Sequence, residues 1–141
     1  MSFLDSCIFC KIIRGAIPCH KVLETGKMLA FMDINPLSLG HILIIPKYHG
    51  ERLHDIPEEY LSDILPAARR IAQIIFSEKG MAYNILQNNG KLAHQEVDHV
   101  HFHLIPKRDA NDGLGIRWDS VNIAHEELGN FAAEIRKKMQ D

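Results

Sequence analysis

The chain has 141 residues, 46% of them apolar and 24% charged, which suits one domain, 1–141, with a sizeable core. A net charge of -2 with nine His counted neutral leaves no basic footprint for nucleic acid, and no apolar run approaches the ~20 residues that span a bilayer. Three Cys, an odd number, and an N-terminus without a charged-then-apolar leader argue for a reducing compartment, cytoplasm or nucleus, and against a disulfide framework.

In chain order, Ser6 is expected to cap a short helix carrying Ile8, Phe9, Ile12 and Ile13, closed by Gly15. Lys21–Glu24 and Met28–Met32 read as strands around a Gly26-Lys27 turn, and Asp33-Ile34-Asn35-Pro36 as the turn that follows. His41–Lys47 reads as a buried strand. A long helix begins at Asp55 or Pro57 with an apolar stripe of Leu61, Ile64, Leu65, Ala68, Ile71, Ala72, Ile75 and Phe76; Pro66 should kink or split it, and Gly80 stop it. Tyr83–Gln87 is another strand, closed by the Asn88-Asn89-Gly90 turn. A polar loop at 109–115 leads to a helix over 125–139, with Leu128, Phe131, Ala132, Ile135 and Met139 on one side. Strands joined by short turns, with one long helix, point to an α+β fold built on a five-stranded antiparallel sheet. No Gly-x-Gly-x-x-Gly or Walker-type pattern is present, which argues against a Rossmann or P-loop enzyme.

The stretch His99-Val100-His101-Phe102-His103-Leu104-Ile105-Pro106 alternates imidazole and apolar side chains. Period two predicts a strand with Val100, Phe102 and Leu104 facing a core, and three imidazoles on the other face, about 6.5–7 Å apart. Pro106 should end it. Three readings compete: a polar strand face, a metal site built on His-x-His, and covalent catalysis by an imidazole. A neutral imidazole at His101 is a competent nucleophile toward phosphorus, and His103 could bind phosphate or protonate a leaving group. His99 could hold its neighbours in one tautomer. Asp33 could accept two hydrogen bonds from a ribose diol or form a plain Asx-turn. Asn88, Gln95 and the backbone near Gly90 could donate to phosphate or serve a turn. No acidic cluster suits Mg²⁺.

These residues together resemble the histidine triad (HIT) family. The segment 99–105 matches its His-φ-His-φ-His-φ-φ motif, and the stretches 7–13, 30–36, 40–47 and 88–90 fall in family order. The resemblance covers roughly 7–108, is closest to the Hint branch, and looks like its fungal members. It implies a compact protomer whose sheet continues across a homodimer, and hydrolysis of adenosine 5′-phosphoramidates to AMP and an amine without a catalytic cofactor. It implies His101 as the nucleophile, with His103 on the phosphate and His99 and His41 in support. Asp33 and Ile34 would meet the ribose. Phe9, Ile12, Ile17, Phe31, Ile34 and Leu43 would wall the purine, and Asn88, Gln95 and Glu96 would meet the phosphate.

Some Hint proteins carry Gly-Gln-Ser where this chain has His94-Gln95-Glu96. Glu96 facing inward would repel a phosphate, so its side chain is expected to turn away or a backbone N–H to make the contact. Trp118 would correspond to a C-terminal Trp that closes the partner's site. A nucleotide-sensing interaction module with incidental hydrolysis is the alternative from a different class. It needs only Asp33 and the pocket, whereas the full set of His41, His101 and His103 favours the enzyme. A zinc-binding structural protein is the third reading.

Cys7 and Cys10 form a Cys-x-x-Cys pair able to hold one zinc, which needs two more ligands. The resemblance supplies His49 and His99, as some relatives with this Cys pair bind zinc. Two buried thiols packing as small hydrophobes are the simpler reading.

Overall fold

The computed structural model describes residues 3–77 and 80–140. Its helices are α1 (Ile8–Ile13), α2 (Glu58–Leu61), α3 (Ile64–Ile75) and α4 (His125–Met139). Its strands are β1 (Lys21–Glu24), β2 (Met28–Met32), β3 (Ile42–Pro46), β4 (Ala82–Gln87) and β5 (Phe102–Lys107). Single 3₁₀ turns lie at Leu53–Asp55 and Lys91–Ala93. The strands form one five-stranded antiparallel sheet in the order β1-β2-β3-β5-β4, the α+β architecture expected.

Register assigns the two faces. Ala30 pairs with Ile44 and Ile44 with Phe102, while Phe31 pairs with Leu43 and Leu43 with His103. Directly paired residues share a face, so the first set looks one way and the second the other. On the first face, Ile64, Ala67, Ala68 and Ile71 of α3 pack on Met28, Ala30, Ile42, Ile44 and Leu104. The second face buries Leu29, Phe31, Leu43 and Ile45 under Cys7, Phe9 and Cys10 of the α1 region. His103 belongs to this second face.

Several expectations are corrected. Cys7, not Ser6, caps α1: its Sγ accepts from the Cys10 N–H at 3.4 Å. Gly15 follows with φ +80, the left-handed turn that closes a helix. The long helix is split before Pro66, at Ser62-Asp63, so Pro66 is the third residue of α3. Its missing N–H falls in the first turn, where no intrahelical acceptor exists. The helix ends at Phe76 rather than Gly80, and Leu65 is exposed while Ala67 joins the core.

The histidine strand starts at Phe102, three residues late, because the Val100 N–H donates to the Gly50 carbonyl at 2.8 Å instead of joining the ladder. It also runs past Pro106, whose carbonyl accepts from Ser38 Oγ at 2.7 Å. The β3 register with β5 extends no further than Ile42 opposite Leu104, so one flank of Pro106 has no ladder to interrupt. Helix α4 has the predicted bounds, yet Leu128, Phe131, Ile135 and Met139 are all exposed.

Candidate active site

Three histidines meet where β3 and β5 run side by side. His41 precedes β3, His101 precedes β5, and His103 lies within it. His41 and His101 are buried and His103 is half-buried. The His101 and His103 rings stand 5.0 Å apart between centroids, and those of His41 and His103 5.1 Å.

The tautomers follow from groups that can only accept or only donate. His101 Nδ1 lies 2.6 Å from the His99 carbonyl oxygen. A carbonyl cannot donate, so Nδ1 carries the proton and Nε2 keeps its lone pair. The Leu37 N–H donates to His41 Nδ1 at 3.1 Å. In neutral His41 the proton is therefore on Nε2, which lies 2.9 Å from His103 Nδ1 and 3.4 Å from Asp33 Oδ2. His103 Nδ1 accepts, so its remaining nitrogen, Nε2, is the one that bears a proton.

Burial sets the electrostatics. It pushes His103 down to about 4, helped by the charges of His101 and His41 and opposed by Asp33. Burial also lowers His101 and His41, with Asp33 pulling both back up. The unliganded site thus holds neutral imidazoles, the nucleophilic form.

These side chains line a cleft of about 300 Å³ that also includes Asp33, Asn88 and Glu96. Asp33 realises both of its readings: Oδ1 accepts from the Asn35 N–H at 2.8 Å as an Asx-turn, and Oδ2 faces His41. Phe9, Phe31 and Leu43 cluster with Ile12 packed against them, and the Phe9 and His101 rings meet in a T-shape with centroids 5.2 Å apart. Ile17 is half-buried outside that cluster and Ile34 is exposed.

Gln95 departs from its expected contact with phosphate. Its Oε1 accepts from the Gly90 N–H at 2.7 Å, and its Nε2 donates to the carbonyls of Glu51 at 2.6 Å and Val97 at 3.1 Å. Its own N–H donates to the Gly90 carbonyl at 3.1 Å, so the residue braces the loop from within. Glu96, expected to turn its side chain away or to make the contact through a backbone N–H, is exposed and lines the cleft, and its charge acts on His101. The sequence reading missed the Leu37 N–H and the Pro46 carbonyl, both main-chain groups that side-chain patterns do not report. It also gave no role to Leu86, although pairing opposite His103 puts Leu86 in the cleft wall. Trp118 is exposed beside an outer cleft of about 720 Å³ that shares Leu86, Asn88, His94 and Leu114 with the catalytic one.

Behind the triad, the Cys7, Cys10, His49 and His99 ligand atoms all lie within 4.8 Å of one another. Cys7 Sγ is 3.4 Å from His99 Nδ1, and Cys10 Sγ is 3.5 Å from His49 Nδ1 and 3.6 Å from His99 Nδ1. Zinc bond lengths of ~2.3 Å to sulfur and ~2.05 Å to nitrogen give a tetrahedral S···N edge of about 3.5 Å, so the donor set fits zinc. His99 Nε2 donates to the Pro46 carbonyl at 3.0 Å, which leaves Nδ1 unprotonated and aimed at the thiols.

The chain resembles known proteins over most of its length. It is 53% identical over 135 residues to adenosine 5′-monophosphoramidase HNT1 of Saccharomyces cerevisiae, covering 96% of this chain and 84% of that one. It is 48% identical over 139 residues to the protein of the same name from Candida albicans, covering 95% and 91%. A crystal structure of a histidine triad nucleotide-binding protein from Candida albicans superposes with a TM-score of 0.90 at 48% identity, covering 96% of this chain and 98% of that one. Residues 14–110 match the HIT domain family, and with the triad, its carbonyl-set tautomer and the sheet that carries it, the chain belongs to that family.

Proposed function

We propose that this chain is a hydrolase of purine nucleoside 5′-phosphoramidates, cleaving the P–N bond of adenosine 5′-phosphoramidates to give AMP and an amine. The observation that carries the reading is the His101 Nε2 lone pair, freed by the His99 carbonyl, beside the paired imidazoles of His103 and His41.

In the first step His101 Nε2 attacks phosphorus. The new P–N bond forms as the bond to the amine breaks. The departing nitrogen needs a proton, which it takes from Nε2 of protonated His103. Burial holds His103 low in the unliganded site. The phosphoryl anion raises it on binding, since an opposite charge favours the protonated form. Once His103 is protonated its Nδ1 no longer accepts, and the His41 Nε2–H turns to Asp33 Oδ2, 3.4 Å away. In the second step water attacks the nucleotidyl-histidine. Its hydroxyl goes to phosphorus, its proton returns to His103, and neutral His101 leaves with AMP released. Asp33 Oδ2, the oxygen not taken by the Asn35 N–H, would accept from a ribose hydroxyl, and the clustered Phe9, Phe31 and Leu43 would wall the purine.

No cofactor enters these steps. A zinc held by Cys7, Cys10, His49 and His99 would tie α1 to the segment before β5, a structural role supported by the donor distances. The whole chain, 1–141, is read as one domain that works as a homodimer. The exposed apolar stripe of α4 and the exposed Tyr83 and Ile85 on edge strand β4 support that reading. Three free thiols suit the reducing cytoplasm or nucleus.

The test is to incubate the protein with adenosine and guanosine phosphoramidates, quench in base, and map the nucleotidylated residue. Release of AMP with label on His101 supports the proposal. Binding without turnover would leave only a nucleotide-sensing module.

A further inference from the structure

Glu96 lines the cleft that would handle an anionic phosphoryl group. Among the described residues it makes no ion pair and no side-chain hydrogen bond, so it has no structural partner to account for it. Its backbone is nevertheless held in place. On one side Gln95 is buried and tied through its side chain to Gly90, Glu51 and Val97. Before that, His94 sits at φ +72, a left-handed conformation uncommon for a residue with a side chain, and it lines the cleft too. A strained residue and a buried brace together position an exposed acid beside the nucleophile. The carboxylate is near enough for its charge to act on His101.

Glu96 lines the same small cleft as His101 and His103, together with Leu86, Asn88 and His94. The last three continue into the outer cleft beside Trp118. A group leaving phosphorus from this cleft of about 300 Å³ therefore departs within reach of the Glu96 charge.

We propose that Glu96 sorts leaving groups by charge, favouring amines that carry a further positive charge and turning away anionic ones, polyphosphate chains included. This rests on the phosphoramidase reading and deepens it. A carboxylate lining the cleft attracts a trailing ammonium and repels a trailing carboxylate or phosphate in the ground state and the transition state alike, so the effect falls on kcat/KM. Going from an anionic to a cationic leaving group changes the charge by two units. Near an exposed carboxylate that is worth about tenfold, and salt should shrink it.

The experiment compares three adenosine phosphoramidates of matched chain length, whose leaving amines are 1,5-diaminopentane, pentylamine and 5-aminopentanoate. Wild type, Glu96→Gln and Glu96→Lys are assayed at low and at high salt. The wild-type ratio of kcat/KM, cationic over anionic, should be about tenfold at low salt and fall at high salt. It should drop to about twofold in Glu96→Gln and invert in Glu96→Lys. A wild-type ratio within twofold, or a Glu96→Gln ratio equal to that of the wild type, overturns the inference while leaving the phosphoramidase reading intact. No turnover of any of the three by the wild type removes both.

Discussion

His41 and His103 are joined at 2.9 Å through nitrogens whose protonation is dictated from outside the pair. The Leu37 N–H occupies the far nitrogen of His41, so the proton between the two rings belongs to His41, and His103 presents its own on Nε2. Direction is thereby built into the pair before any substrate arrives. Replacing His41 with Ala should therefore slow poor leaving groups more than good ones. We expect about 10²-fold loss of kcat with an alkylamine leaving group and about tenfold or less with a nitrophenolate, which needs no proton. Equal losses for the two would place His41 outside proton delivery.

His101→Ala should reduce kcat by about 10³-fold or more while AMP still binds, because the loop and sheet around it are braced by other contacts. Calorimetric titration with AMP and single-turnover kinetics check the two halves separately. A variant retaining a tenth of wild-type kcat would take the nucleophile's role from this residue.

Stability should fall in mild acid. His103 is held down at about 4, so between there and the ordinary imidazole value of about 6.5 the unfolded chain binds more protons than the folded one. In that window stability rises with pH, and it is lost as pH falls from about 6.5 toward about 4. Urea melts of wild type and His103→Gln at pH 7 and pH 4.5 read this out. The wild type should lose more stability across the interval than the variant, and equal losses would contradict the assignment.

Protein purified without chelator or His tag should carry about one zinc per chain, and EDTA should lower Tm by about 10 °C or more. Cys10→Ser should abolish both. Less than ~0.1 zinc per chain with an unchanged Tm would return Cys7 and Cys10 to simple packing.

Light scattering at micromolar concentration should give about twice the 16.1 kDa chain mass. Phe131→Asp, in the middle of the α4 stripe, should shift that mass toward the single chain. A wild type that is monomeric under these conditions removes the dimer.

Much of this was legible because it is written in local pattern. The limits of β1, β2 and α4 follow from alternation, turn residues and helical spacing, and they stand as expected. The triad and the Cys pair are recognisable by residue type and spacing. What was not legible depends on partners distant in sequence. Val100 leaves the ladder because Gly50 offers a carbonyl, and Gln95 is spent on Glu51 rather than on a phosphate. Pro66 reads as a breaker in any window, yet at the third position of α3 it is harmless. That Gln95 and His94 pin the loop carrying Glu96 rests on contacts with Glu51 and Gly90 that no local pattern announces.

The acceptor that sets the His101 tautomer is the main-chain oxygen of residue 99. No missense change at that codon deletes it, because every amino acid brings the same carbonyl. Mutation can strip His99 of its imidazole and its place beside the thiols without touching the proton that frees the nucleophile. Drift at position 99 is thus separated from drift in the chemistry, and lineages that lost the metal-ligand set at this codon could have kept the reaction.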